Sequence, residues 1–304
     1  MISDSHPVRH YLGRWRPKTS DRTAPLHTTD QLSSAEVKAI HHAENELLDA
    51  NTNSAYFVLR DQRRALDLVL ADVVKEWSNQ DAEYMALRRR VSTALENFLS
   101  SLRAFDDKTC ASLSAKYGKE SKPYRVFKAA LSLEYDNQAA YRIAYKLRNF
   151  MQHAGTVMRL EINEKLDDSG ERSVTASAIL PPQELLAWNG WGSTVKRDLS
   201  AMSGVIDAQI LCDRVTDSCG RAYANAVLAQ EAALKAAADL LVSYEARGPQ
   251  PIDGRLTILT LPEQVDGLKG SSWTDVMVGL ATGLDRFLAE CRRATEKYGP
   301  VEVD

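Results

Sequence analysis

Residues 134–155, EYDNQAAYRIAYKLRNFMQHAG, contain the helical pattern on which our reading of this chain depends. At about 100° per residue, the apolar positions of 140–154 fall on one face, which we expect to pack in a core. These positions are Ala140, Ile143, Ala144, Leu147, Phe150, Met151 and Ala154. We expect the polar and tyrosine side chains to point away from that core, with Arg148, Asn149 and His153 sharing one side. Gly155 is a favourable residue just beyond a helix end, so the helix should end there.

Helical patterns also precede this segment. Ser33 and Glu36 have the spacing of a capping box, in which the two residues exchange hydrogen bonds at a helix start. The predicted helices are 33–48, 54–77, one from about 81, and a fourth, in one or two pieces, that ends at Gly155. Short breaks between amphipathic helices are typical of an up-and-down four-helix bundle, which we place at residues 31–155.

The pattern changes after Gly155. Two β-rich runs around a Gly-containing loop predict a β-hairpin at 157–180. We further predict long helices over 183–247, a strand at 255–261 added to the hairpin, and a final helix at 272–298. The fold class is therefore mostly α, with an extended arm (1–30), a helical bundle (31–155) and an α+β C-terminal region (156–304).

Composition limits the functional classes. The chain has 304 residues, 38 Lys or Arg, 41 Asp or Glu and four cysteines. No apolar run approaches the roughly 18 residues needed to cross a bilayer, and the N-terminus lacks the apolar core of a secretory signal. We therefore expect a cytoplasmic protein with reduced thiols and no membrane contact.

No pattern in the sequence predicts a metal or a cofactor. The cysteines are widely spaced, and no His lies near any of them. His41 and His42 could bind a metal, but a surface pair is the simpler interpretation. The GLKGSSW segment at 267–273 lacks the spacing of a phosphate-binding loop, so we interpret it as a helix cap.

Positive charge is concentrated around the quoted segment. Residues 116–160 hold nine Lys or Arg and three Asp or Glu, an excess of six positive charges in a chain of net charge −3. Such a local field favours a polyanionic partner. The N-terminal arm is also basic, with Tyr11 and Trp15 interleaved, and either stacks on a nucleic acid or docks on its own domain.

Arg148, Asn149 and His153 have the chemistry that RNA cleavage without a metal requires. When the 2′-OH of RNA attacks the adjacent phosphate, an imidazole near neutral pKa can transfer the proton. An Arg can hold the developing charge through two N–H donors. Asn149 can orient either group. A His in the last turn is also a common stabiliser of the helix dipole, so the spacing alone leaves both readings open.

With its position on the last helix of a predicted bundle, this set resembles the HEPN family (higher eukaryotes and prokaryotes nucleotide-binding domains). The family motif is an Arg, four to six residues and a His, often with a polar residue beside the Arg. Arg148, Asn149 and His153 match it with the shortest spacing. The segment as a whole is similar to the motif helix of bacterial members associated with defence against phage. The resemblance covers about residues 30–155 and does not extend to 156–304.

The resemblance implies a metal-independent endoribonuclease, as a toxin or an anti-phage (abortive infection) effector, with Arg148, His153 and Asn149 as catalytic residues. It also implies a homodimer in which two motif helices build one composite cleft. The side chains expected to border the RNA there are Arg142, Lys146, Tyr141, Tyr145 and Gln152. A protein partner or antitoxin that controls the activity stays open.

Two other classes of function remain open at this point. The family includes inactive members, so the chain could be a non-catalytic helical module that binds a nucleotide, a nucleic acid or a protein. It could also be a scaffold whose C-terminal helices make the contacts. The Arg148–Asn149 pair and the local positive charge favour the enzyme, whereas the large unassigned half favours a binding module.

Overall fold

The computed structural model describes residues 8–15, 27–51, 55–79, 83–155, 157–166, 172–249, 255–262, 272–296 and 301. Over these residues the protein is mostly helical, with two small antiparallel sheets. The helices are α1 (Ser34–Asn51), α2 (Ala55–Ser78), α3 (Tyr84–Tyr117), α4 (Lys122–Asn137), α5 (Ala139–His153), α6 (Pro182–Leu186), α7 (Ser193–Ser200), α8 (Ala208–Leu228), α9 (Glu231–Arg247), α10 (Val278–Thr282) and α11 (Leu284–Thr295). The strands are β1 (Val8–Trp15), β2 (His27–Leu32), β3 (Arg159–Leu166), β4 (Arg172–Leu180), β5 (Ile206–Asp207), β6 (Arg255–Pro262) and β7 (Ser272–Asp275). None of the helices described here is both long enough and apolar enough to cross a membrane.

The chain divides into two compact units, the first made of Met1–Asn53 and Gln230–Arg292. Its sheet has the strand order β2-β1-β6-β7, with Tyr11 opposite Leu259 in the β1–β6 ladder. The predicted extended arm at 1–30 thus contains two paired strands, while residues 1–7 and 16–26 lie outside the described part. The prediction that 255–261 joins the hairpin is wrong, because β6 pairs with β1 and β7. Alternating side chains identified the strand but could not identify its neighbours.

Helix α1 begins at the predicted capping box. The Ser33 backbone N–H donates to Glu36 Oε2 at 2.8 Å, and the Glu36 N–H donates to Ser33 Oγ at 3.2 Å. The hydrogen bond from the Ser33 backbone, followed by that from Arg247, lowers the pKa of Glu36 to about 2. Helix α1 packs against α9 and α10 in the first unit, so the observed division of the chain differs from the predicted bundle at 31–155. Its amphipathic pattern requires a buried face but does not specify what covers that face.

The second unit contains Ser54–Ala229 and Arg293–Asp304, and its core is formed by α2, α3, α4, α5 and α8. Helix α8 comes from the half of the chain with no assigned role, yet it contacts each of the other four. Its buried face carries small and aromatic side chains, among them Cys219 and Tyr223. Tyr223 stacks on Tyr56 of α2, with ring centroids 5.0 Å apart. The small residues let α8 approach its neighbours closely, and the aromatic ring fills the remaining space.

Two bidentate ion pairs fix α8 against the earlier helices. Arg221 donates from Nε and Nη2 to the two carboxylate oxygens of Glu134 on α4, both at 2.6 Å. Arg63 on α2 donates from Nε to Asp213 Oδ1 at 2.7 Å and from Nη2 to Oδ2 at 3.0 Å. Glu134 is only 3% exposed, so its charge depends on Arg221 for compensation.

The segment predicted as a hairpin contains β3 and β4, paired antiparallel, and β5 adds a short third strand. The predicted long helices over 183–247 are four helices, α6 to α9, interrupted by β5. The predicted final helix at 272–298 is wrong in its first part, where β7 pairs with β6 and the short α10 follows. Val276 follows β7 and Val278 begins α10, and both side chains are buried. The apolar spacing that predicted one continuous helix therefore also fits a strand end followed by a short helix.

We predict that Arg221→Ala lowers the free energy of unfolding by about 3–5 kcal/mol, because it leaves the Glu134 carboxylate buried without a partner. Arg64→Ala is the control, since the ion pair of Arg64 with Asp61 is exposed and its loss should cost less than about 1 kcal/mol. The double variant Glu134→Leu/Arg221→Leu should recover most of the loss. Urea unfolding followed by circular dichroism measures all three, and equal losses for Arg221→Ala and Arg64→Ala would contradict the assignment.

Candidate nucleic-acid interface on helix α5

Backbone geometry defines both ends of α5. Gln138 is extended (φ −116°, ψ 104°) and separates α4 from α5, so the predicted fourth helix is in two pieces. At the other end the Ala154 N–H donates to the Phe150 carbonyl at 2.8 Å, and Gly155 adopts φ +90°. The positive φ is the left-handed conformation that Gly favours after a helix. It ends the helix directly after His153.

The predicted core face of α5 is largely confirmed. Ile143, Ala144, Leu147 and Phe150 are buried. Phe150 stacks on the Trp191 ring at 5.6 Å in the turn before α7. The other three predicted core residues lie at the margin: Ala140 and Met151 are half-buried and Ala154 is exposed.

The prediction that Arg142 lies on an exposed face is wrong. Its Nε donates to Asp198 Oδ2 at 2.8 Å and its Nη2 to Oδ1 at 3.2 Å, and Asp198 belongs to α7. The Arg142 Nη1 also donates to the carbonyl oxygens of Tyr135 and Asp136 at 2.6 and 2.7 Å, at the end of α4. The hydrogen bond from Arg142 to Asp198 raises the pKa of the guanidinium. Arg142 therefore joins α4, α5 and α7 through hydrogen bonds that use all three of its guanidinium nitrogens.

Tyr141 was also predicted to be exposed, and this is wrong as well. It is 2% exposed, and burial raises the pKa of its phenol. Tyr145 is half-buried and stacks on Tyr141, with centroids 6.3 Å apart. Arg103 of α3 hydrogen-bonds the Tyr145 hydroxyl and lies over its ring. These tyrosines pack within the unit because α7 and α8 cover the part of α5 that the sequence left uncovered.

Arg148 lines a cavity of about 120 Å³ between α3 and α5. The other lining residues are Glu96, Leu99, Ser100, Met151 and Gln152. Arg148 Nε is buried and has no hydrogen-bond partner among the residues that the structure describes. Within the described part of the chain, the Arg148 guanidinium also makes no ion pair, unlike that of Arg142. Arg148 is thus a cation partly withdrawn from water and not neutralised by a carboxylate.

The remaining predicted site residues lie around the C-terminal end of α5. His153 and Gln152 are exposed, whereas Lys146 and Asn149 are half-buried. His153 does not line the cavity of Arg148, although it follows Arg148 by five residues. The structure therefore brings Arg148 and Gln152 together and leaves His153 on the adjacent solvent-facing surface.

The positive charge around α5 is partly compensated by segments outside 116–160. Lys128 lies 3.6 Å from Asp106, and Arg159 pairs with Glu184. Together with the Arg142–Asp198 pair, these contacts reduce the excess of positive charge counted from the sequence. On α5, Arg148 and Lys146 are the cationic side chains that remain available to a polyanion.

Two residues of the cavity were missed by the sequence reasoning. Glu96 and Ser100 flank the buried Leu99 on α3, a helix whose sequence was interpreted only through its apolar positions. The sequence gives no indication that these two polar residues line a cavity, because it does not show that α3 packs against α5. Within the described residues, no group of three or more His, Cys, Asp or Glu side chains has the geometry to hold a metal ion.

We predict that Gly155→Ala lowers the free energy of unfolding by about 1–2 kcal/mol. A Cβ at this position would meet no atom within 4 Å, so the loss reflects only the positive φ. Gly155→Asn is the matched variant and should lose less, because Asn tolerates this conformation better. Thermal unfolding of the three proteins compares them directly. Equal losses for Ala and Asn would show that φ is not the cause.

No protein-family model matches this chain, and no match to it was found among the curated proteins or the solved structures.

Proposed function

We propose that this protein is a metal-independent endoribonuclease whose site is the C-terminal half of α5. The observation that carries the proposal is Arg148, whose Nε is buried without a hydrogen-bond partner and whose guanidinium makes no ion pair of 4 Å or less with a described residue. A cation held in this way is stabilised by an anionic ligand, and the phosphate of RNA forms the two parallel hydrogen bonds that a guanidinium favours.

His153 supplies the second group that the reaction requires. At 1.5 Å per residue, the backbones of Arg148 and His153 are about 7.5 Å apart along the helix axis. Side chains on a helix lean toward its N-terminus, which brings the His153 ring closer to Arg148 along the axis, with the two residues about 140° apart around it. One RNA strand crossing the end of α5 can contact both. Asn149 is half-buried and lies between Arg148 and His153 in the sequence. We assign it the role of orienting the side chain of one of these two residues.

In the proposed reaction, the 2′-OH oxygen of RNA bonds to the adjacent phosphorus, and the bond from phosphorus to the 5′-oxygen breaks. His153 accepts the 2′-OH proton, and an acid or water protonates the departing 5′-oxygen. Arg148 stabilises the extra charge on the phosphate oxygens in the transition state. The products are a 2′,3′-cyclic phosphate end and a 5′-hydroxyl end.

As part of this proposal, the helices of the second unit correspond to a HEPN-like bundle in which α5 is the motif helix. Helices α2, α3, α4 and α5 supply the bundle, and α8 packs against all of them. In this arrangement α8 comes from residues 156–304, so the half of the chain outside the resemblance contributes to the core of the catalytic unit. In the cell, the proposed enzyme acts as a toxin or anti-phage effector and is controlled by a protein partner or an antitoxin.

A non-catalytic module that binds a nucleotide or RNA is the second candidate. The observation that favours it is that His153 does not line the Arg148 cavity. A module of this kind would use Arg148 and Gln152 for binding, with His153 stabilising the helix end. The two candidates differ in whether replacement of His153 removes an activity.

We predict that His153→Ala and Arg148→Ala each reduce RNA cleavage by roughly 10²-fold or more, with the fold retained. His153→Ala removes the proton-transfer group, and Arg148→Ala removes the stabilising charge. Arg148→Lys should also lose cleavage, since a single ammonium group cannot form the two parallel hydrogen bonds of a guanidinium. Asn149→Ala should have a milder effect. Cleavage of a labelled RNA in EDTA, with product ends analysed by mass spectrometry, measures these effects.

Two exposed residues on other helices provide matched controls. His42 of α1 and Arg197 of α7 are exposed, so His42→Ala and Arg197→Ala should cut RNA at the wild-type rate. A requirement for magnesium, or cleavage that persists in the double variant Arg148→Ala/His153→Ala, would falsify the mechanism. RNA binding without cleavage in the wild type would favour the binding module instead.

We also propose that the active form is a homodimer through the surface that carries Arg148 and His153. Two copies of this surface would place a second Arg148 and a second His153 near the same RNA strand. Light scattering at micromolar concentration should give a mass of about twice the 33.8 kDa chain. Mixing the inactive Arg148→Ala and His153→Ala proteins should restore part of the cleavage. A monomeric mass combined with full activity would contradict the dimer.

A further inference from the structure

The cavity beside Arg148 is built from matching positions on two helices. Helix α3 contributes Glu96, Leu99 and Ser100, and α5 contributes Arg148, Met151 and Gln152. Each set has the spacing i, i+3 and i+4, which places three side chains on one helix face. The cavity volume of about 120 Å³ equals the liquid volume of about four water molecules, so it suits a group larger than a single ion.

The polar groups of the cavity have opposite charges that do not neutralise each other. Glu96 Oε1 accepts from Ser92 Oγ at 3.3 Å, whereas Oε2 has no partner in the part of the chain described here. Arg148 Nε is buried and also unpartnered. The two charged groups line one cavity without forming an ion pair of 4 Å or less. A ligand that bridges them must present hydrogen-bond donors to Glu96 and acceptors to Arg148.

The apolar part of the lining favours a flat ligand. Leu99, which is 1% exposed, and the half-buried Met151 supply the apolar part of the lining. A thioether and an aliphatic side chain pack well against the face of an aromatic ring. A free phosphate inside the cavity would make no favourable contact with these two apolar side chains and would lie close to the Glu96 carboxylate, which repels it; the phosphate of a bound nucleotide would therefore lie outside the cavity.

We propose that this cavity binds a guanine base. This inference rests on the proposed function, for which it names the preferred nucleotide of the substrate. Guanine presents two adjacent N–H donors, N1–H and N2–H, which suit the two oxygens of a carboxylate. It presents O6 and N7 as acceptors, which suit a guanidinium. Adenine has an acceptor at N1 where guanine has a donor, and this acceptor would face the Glu96 carboxylate unfavourably.

Arg148 can serve the base and the phosphate together. A guanidinium has five N–H donors, four of them on its two terminal nitrogens, and Arg148 lines the cavity. One terminal nitrogen can donate to the base and the other to the phosphate next to the bound nucleotide. The Gln152 amide and the Ser100 hydroxyl, both on exposed residues, can hydrogen-bond the ribose or the edge of the base. Recognition of the base would thereby position the adjacent phosphate near His153.

Calorimetric titration with guanosine and adenosine 5′-monophosphates tests the proposal. We expect the guanosine nucleotide to bind about tenfold or more tightly than the adenosine nucleotide, in line with one good bidentate contact. Glu96→Gln should abolish this preference, because the amide cannot accept both N–H groups. Glu161→Gln is the matched control, since Glu161 is exposed on β3 outside the cavity, and it should retain the preference. Circular dichroism verifies that each variant is folded.

The His153→Ala protein separates this inference from the proposed function. It should lose RNA cleavage but keep the preference for the guanosine nucleotide. If the wild type cuts no RNA and still prefers that nucleotide, the ribonuclease proposal fails and the guanine site stands. Equal affinities for the two nucleotides, or an unchanged preference in Glu96→Gln, overturn the guanine site even if RNA is cleaved.

Discussion

The second unit depends on the neutralisation of one buried carboxylate, that of Glu134. An uncompensated charge at this depth would destabilise the fold by several kcal/mol, so an arginine has to lie against it. Arg221 fills that place from the middle of α8, through two hydrogen bonds of 2.6 Å. The pair fixes both the position and the rotation of α8 against α4. It therefore ties the folding of helices α2 to α5 to a helix that follows some 50 residues later.

The position of α8 and α7 decides which cations of α5 stay available for a ligand. Arg142 and Arg148 are six residues apart on one helix, and the sequence placed both on a polar face. Arg142 is covered by α7 and paired with Asp198, so its charge contributes to folding. Arg148 faces α3, where no described carboxylate approaches within ion-pairing distance. The guanidinium at position 142 thus stabilises the fold, whereas the guanidinium at position 148 makes no ion pair with a described carboxylate.

The sequence predicted what depends on local periodicity and missed what depends on packing partners. The capping box at Ser33, the end of α5 at Gly155 and the buried stripe through Leu147 were all readable, because each is decided within a few residues. The partners of α1 and β6 were not readable, since amphipathic and alternating patterns do not say which surface covers them. The cavity of Arg148 was missed for the same reason, because Glu96 becomes its neighbour only when α3 and α5 are set side by side.

The burial of Tyr141 shows how far a helical wheel can mislead about a site. A wheel treats polar side chains as exposed, but a tyrosine is mostly an aromatic ring and gains more from packing than it loses at its hydroxyl. Tyr141 and Tyr145 stack on each other, and Arg103 lies over the Tyr145 ring, so this part of α5 is packed against its neighbours. These contacts lie one to two turns before Arg148 and anchor the helix that carries its guanidinium. The tyrosines that the sequence suggested as ligand contacts therefore pack behind the proposed site, and the proposed contacts lie in the last two turns of the helix.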